Sequence, residues 1–230
     1  MEMKQKKYMK LMLACTVALL ATATAVHAQG PIITTTPVTP NDPVYSELGS
    51  NYAEGEVGYL HHTHGAPGVA HDYDLTLNQA VYSQGITGVD AQLGYSYLDA
   101  NNNGFAAHRQ VFDLGAVGYL TQSWGKPFVS ADIGWANQRA GGVSTHSYTY
   151  DLGAGVEFQV LKQLVVDPEL TYDATPNLTT PRYALNVPNY EWNYGAKATY
   201  RFTKQVSASL GVFADQNRDM TYKLGVGFHY

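Results

Sequence analysis

Met220-Thr221-Tyr222-Lys223-Leu224-Gly225-Val226-Gly227-Phe228-His229-Tyr230 alternates without a break. Tyr222, Leu224, Val226, Phe228 and Tyr230 fall on one side of an extended chain. Lys223, Gly225, Gly227 and His229 fall on the other. A period of two is the mark of a β-strand with two unlike faces. Working upstream, the same period recurs over 205–215, 190–202, 164–173, 147–159, 128–137, 108–120, 87–98, 71–81 and 52–61. Turn chemistry separates these segments, as at Ser123-Trp124-Gly125-Lys126-Pro127 and Asn101-Asn102-Asn103-Gly104.

Ten amphipathic segments, an even number, predict an all-β fold: a closed, antiparallel, up-and-down transmembrane β-barrel. An eight-stranded barrel follows instead if 71–82 and 107–120, the least regular stretches, are not strands. Pro168 lacks the N–H a ladder needs, so a bulge or a strand end is expected there. Alternation alone does not say which face meets lipid, because a soluble barrel turns its apolar face inward. Two features favour lipid. The apolar face is rich in Tyr, Trp and Phe near segment ends, as in membrane girdles. The opposite face is glycine, serine and carboxylate, a costly dry core but a workable wet lumen. The chain carries 18 Tyr and 22 Gly, and only 14% of its residues are charged. Outside the N-terminal apolar stretch no apolar run approaches the length of a spanning helix, so any crossing is made by strands. Closure is then obligatory, since every backbone polar group in hydrocarbon needs a protein partner.

The N-terminus reads as a secretory signal over residues 1–28. Lys4, Lys6, Lys7 and Lys10 form a basic region, Leu11 to Ala23 carries no charge, and Val26-His27-Ala28 places small residues for cleavage before Gln29. An uncleaved anchor fits less well, because the apolar run is short for a span of about 20 residues. The only cysteine, Cys15, lies in that run. A lipoprotein reading of Leu13-Ala14-Cys15 would leave almost no apolar region before it. Residues 29–49, with Pro31, Pro37, Pro40 and Pro43, predict an extended periplasmic linker, and 50–230 the barrel. Losing the four signal lysines and Glu2 takes the net charge from −5 to −8, which argues against nucleic acid as a partner.

The ending Tyr222-x-Leu224-x-Val226-x-Phe228-x-Tyr230 resembles the C-terminal strand signal of bacterial outer-membrane proteins. Lys126-Pro127-Phe128-Val129 and Leu152-Gly153-Ala154-Gly155-Val156-Glu157 are similar to stretches of the small opacity-protein and OmpA-OmpX-like barrels. The resemblance covers about residues 50–230. It implies residence in the bacterial outer membrane, contact with outer-membrane lipid and recognition of the last strand by the barrel-assembly machinery. Those relatives mostly have eight strands, so ten is a departure.

With both termini on the periplasmic side, short turns fall near 83–86, 121–126, 160–163 and 203–204. Longer outer loops fall near 62–70, 99–106, 138–146, 174–189 and 216–219. Parity then places Asp72, Asp74, Asp151, Asp173, Glu191 and Asp215 in the lumen toward the outer mouth. Glu54, Glu56, Asp90, Glu157 and Asp167 lie toward the periplasm. These acids read either as a cation-attracting lumen or as a hydrogen-bonded interior neutralised by Arg109, Lys197, Arg201 and Lys223. The second is favoured, because narrow barrels are usually filled by side chains. His61, His62, His64 and His71 cluster at the first outer loop, but their spacing specifies no metal site, and their removal is expected to leave folding intact. No cofactor motif is present. Asp72 and Asp74 share a face, as paired acids do in barrel proteases, but no Asp-x-His pair accompanies them. His146-Ser147 cannot share one site, since neighbours on a strand point opposite ways. The chain is therefore not expected to be an enzyme, whether lipid-modifying or proteolytic. The first expectation is a structural or surface-interaction role, with 174–189 the loop to meet an extracellular partner. A small, weakly cation-preferring channel is the alternative.

Overall fold

The computed structural model describes residues 45–61, 69–102, 105–140, 142–175 and 190–230. The expected signal, most of the expected linker, His62, His64 and nearly all of loop 174–189 lie outside the described residues, as does the side chain of His61. The barrel lies within the compact unit Thr36–His229.

The described residues form ten strands: β1 (Tyr52–His61), β2 (Val69–Gln84), β3 (Thr87–Asn102), β4 (Phe105–Leu120), β5 (Lys126–Ala140), β6 (Val143–Leu161), β7 (Leu164–Ala174), β8 (Tyr190–Arg201), β9 (Val206–Asp215) and β10 (Met220–His229). Each pairs antiparallel with its neighbours in sequence. β1 closes on β10 from Tyr52↔His229 to His61↔Met220, so no strand edge is left open. The two stretches on which an eight-stranded count depended are both strands, β2 and β4, of 16 residues each.

Pro168 corrects its expectation. It sits inside β7, paired in register with Ala196 of β8. On its other side the β6–β7 ladder skips from Gly155↔Glu169 to Phe158↔Val166 without changing register. The missing N–H is thus absorbed by a local gap in one ladder. The bulge itself lies further along, between Gln159 and Leu161, and a second one interrupts β2 between Ala80 and Tyr82.

The faces have the expected parity in every strand. Leu114, Ile133, Leu152, Leu210, Leu224 and Val226 stand on the outer wall, each more than half exposed. Trp135, Tyr148, Tyr190 and Trp192 stand toward the long-loop end of that wall. Trp124 and Phe202 stand at the short-turn end. Ring pairs such as Trp135–Tyr148, at 4.9 Å, and Tyr172–Trp192, at 4.9 Å, tie adjacent strands across the outer surface. Leaving so much apolar area in water would be prohibitive for a soluble monomer. Flanked by aromatic rings at both ends, the wall is matched to hydrocarbon.

The inner face is packed with polar side chains, and glycines make room for them. A Cβ on Gly115 would collide with the carboxylate of Asp132, and one on Gly94 with that of Asp113. The glycine parity is therefore a spacing device: a small residue on one strand seats an acid from the next.

Candidate functional site

The lumen is the place where charged side chains from distant strands meet. Lys197 of β8 reaches Glu54 of β1 at 2.9 Å and Glu47 at 3.2 Å. Ser209 of β9 donates to the same Glu54 at 2.5 Å. Lys223 of β10 bonds Asp74 of β2 at 2.5 Å and approaches Asp72 at 3.5 Å. Two of the four expected lumen bases thus neutralise acids. The guanidinium of Arg109 lies among Asp151, Asp173, Glu191 and Asp72, and both arginines also bond elsewhere. Arg109 donates to Thr175 Oγ1 at 2.8 Å. Arg201 donates to the Lys204 carbonyl and lies 4.5 Å from the centre of the Tyr45 ring. The intended division of acids by depth is also blurred. Glu56 and Asp74, assigned to opposite ends, are direct cross-strand partners.

A second acidic group runs across four strands. Asp132, Asp151, Asp173 and Glu191 are successive cross-strand partners on β5, β6, β7 and β8. Like charges set directly opposite repel, so this row is held at an energetic cost. Asn193 donates to Asp173 at 2.5 Å, offsetting part of it. Asp215, also expected among the lumen acids, is occupied otherwise: its Oδ1 accepts from the N–H groups of Asn217 and Asp219, at 2.8 and 2.7 Å, and so caps its own turn. Asp167 is buried on the inner face of β7. A cavity of about 140 Å³ in the lumen is bounded by Glu56, Asp74, Asp113, Lys223, Thr76 and Ser96.

The short-turn mouth holds what the sequence did not announce. Residues 45–50, at the junction of the expected linker and barrel, are folded into the lumen. Tyr45 and Glu47 are almost fully buried. Glu157 Oε2 accepts the N–H groups of Glu47 and Leu48 at 2.8 and 3.2 Å, and its other oxygen meets the Ser46 hydroxyl. Asp90 Oδ2 accepts the N–H of Gly49 at 2.8 Å and an Asn78 amide hydrogen at 3.1 Å. Lys126 donates to Ser46 Oγ at 2.6 Å and to the Leu48 carbonyl at 2.9 Å. Gly49 has φ +85°, and a Cβ there would strike the Tyr119 hydroxyl, so the segment needs glycine at this point. Burial pushes the Glu47 carboxyl above its ordinary range, against the pull of Lys197. The Tyr45 phenol is pushed up by the same cause.

Sequence reasoning missed Tyr45, Glu47 and Lys126 as site residues, and also Asp113 and Asp132. The last two carried the right parity and were findable. Tyr45 and Glu47 sit in a stretch with no periodicity, and no local signal marks them.

Other expected features stand apart from this network. His71 is exposed on the outer wall, its ring 6.2 Å from that of Tyr59. Among the described residues no three histidines or acids are grouped to hold a metal ion. His146 faces outward, its ring stacked on Trp135 at 5.8 Å, whereas Ser147 is buried on the inner face.

No protein-family model matches the chain, and no curated protein matches it. Solved structures do. The beta domain of the Bordetella autotransporter BrkA superposes with a TM-score of 0.52 at 11% identity, covering 80% of this chain and 99% of that one. An outer membrane channel from Pseudomonas putida F1 gives 0.41 at 8% identity, over 84% and 100%. The outer membrane enzyme PagL gives 0.39 at 14% identity, over 77% and 98%. At these identities the likeness is one of fold. A closed antiparallel barrel with an apolar, ring-flanked wall and a charged, polar lumen defines the class: this is a β-barrel of the bacterial outer-membrane type.

Proposed function

We propose that the chain is an outer-membrane barrel with a structural or surface-interaction role, in which a rigid wall displays the long loops, 174–189 foremost, to the exterior. The observation that carries this reading is the filled short-turn mouth. Residues 45–50 lie across it, bonded to side chains of β3, β5, β6 and β8. A barrel shut at one end supports display better than transport. In this reading the short-turn end is periplasmic, residues 1–28 are the removed signal, and the alternating β10 is what the assembly machinery recognises. The glycine-rich strands and that ending support kinship with the opacity and OmpA-OmpX-like barrels. No step of covalent chemistry is assigned to it.

Planar-bilayer recording tests the role directly. The purified full-length barrel is expected to give a closed trace in potassium chloride. Steady current steps that favour cations would overturn this reading. They would promote the second one, a small cation-preferring channel, which has the four-acid row from Asp132 to Glu191 in its favour.

A further inference from the structure

We propose that residues 45–50 are a captive plug, a strap that shuts the lumen at rest and whose release opens a path for small cations from one mouth to the other. This goes beyond the display role, which requires only that the mouth be closed.

The strap differs from the wall in how it is held. Every wall strand is paired along both edges, and the circle of ladders is complete without residues 45–50. The strap joins no ladder. Its backbone N–H groups at 47, 48 and 49 end on the carboxylates of Glu157 and Asp90. Its carbonyl at 48 and hydroxyl at 46 end on Lys126. Its own carboxylate at Glu47 ends on Lys197. Apart from the Ser46 and Glu47 side chains and the Tyr45 ring packed on His229 and Arg201, these are charged side chains gripping a main chain, and water can take the place of each bond when the strap leaves. The wall therefore has no need of the strap to remain folded.

Space and charge continue behind it. The 140 Å³ cavity at Glu56, Asp74, Asp113 and Lys223 lies in the same lumen. Beside it, within reach of Asp113, runs the row Asp132, Asp151, Asp173 and Glu191. Carboxylates outnumber the charges of Lys197, Lys223 and Arg109 along this lumen, and an excess of acids admits cations ahead of anions. Departure of the strap would also free Asp90 and Glu157, adding two acids at the mouth.

Two substitutions loosen the strap from opposite sides. Glu157→Ala removes the acceptor of two backbone N–H groups. Gly49→Val changes no wall residue but forces a branched side chain into positive φ and onto the Tyr119 hydroxyl. Amide hydrogen exchange at 47–49, read by mass spectrometry on the detergent-folded full chain, reports the strap. Wall amides in the same digest report the fold. The wild type is expected to protect 47–49 and to stay silent in bilayers. Both variants are expected to exchange those amides at least tenfold faster, keep wall protection, and show current steps with reversal potentials on the cation side in a potassium chloride gradient. Equal exchange in wild type and variants overturns the captive strap. Released amides with silent bilayers overturn the path while leaving the display role standing. A wild type that conducts as freely as the variants overturns that role as well.

Discussion

At the scale of single residues, the lumen is governed by a few buried bonds between groups far apart in sequence. Lys197 is the centre of one, holding Glu47 and Glu54 together. Replacing it with Met would leave two acids facing each other in a poorly hydrated site. Breaking a buried pair by removing one partner costs about 3–5 kcal/mol. Lys197→Met is therefore expected to lower stability by about that amount in urea titration of the lipid-folded barrel. A loss within experimental scatter would mean that water already screens the pair. His71, exposed on the outer wall, is the contrasting case: His71→Ala is expected to change stability by less than about 0.5 kcal/mol in the same titration.

At the scale of the strand, each segment is a two-faced ribbon, and the faces tolerate different chemistry. Leu152 lies near the middle of β6, pointing away from the lumen and 52% exposed. An arginine placed mid-wall on a lipid-facing strand costs about 2–4 kcal/mol. Leu152→Arg is expected to weaken folding into phospholipid vesicles by that amount. The same variant in a water-facing wall would cost almost nothing, so the measurement also tests which face meets lipid. Strand number, parity and the short turns were all legible, because a period of two needs no knowledge of partners. Gly85-Ile86 and Lys162-Gln163 fall where the alternation lapses. Pro168 was read less well. Its effect on the ladder depends on whether β6 needs the missing N–H at that register, which is a property of the pair of strands.

At the scale of the whole molecule, closure is the decisive act. β1 and β10 stand at opposite ends of the barrel sequence, yet they pair along ten residues and remove both sheet edges. A closed wall whose ladders are interrupted only locally, at Pro168 and two bulges, resists detergent because almost no backbone group is left to exchange partners. The refolded protein is expected to run faster on an unheated dodecyl sulfate gel than after boiling. Identical mobility in both lanes would contradict a closed barrel. The pairing of the lumen acids and bases is also set at this scale. Lys197 and Lys223 bond acids directly, whereas Arg109 lies among acids but donates to Thr175, and Arg201 donates to the Lys204 carbonyl. Parity tells which side chains enter the lumen, but their partners depend on strand tilt and stagger around the ring.

Taken alone, the amino-acid order determined that the chain forms two-faced strands closing into a barrel, ten by its period with eight left open, and which side of each is greasy. That information is local: it repeats every second residue, and hydrocarbon or water selects the face. The fate of residues 45–50 was decided only in three dimensions. Tyr45 and Glu47 have no pattern of their own, and the segment that carries them is held by Asp90, Lys126, Glu157 and Lys197 converging from four separate strands, with the Tyr45 ring on His229 and Arg201. Only the closed ring brings those four side chains to one mouth.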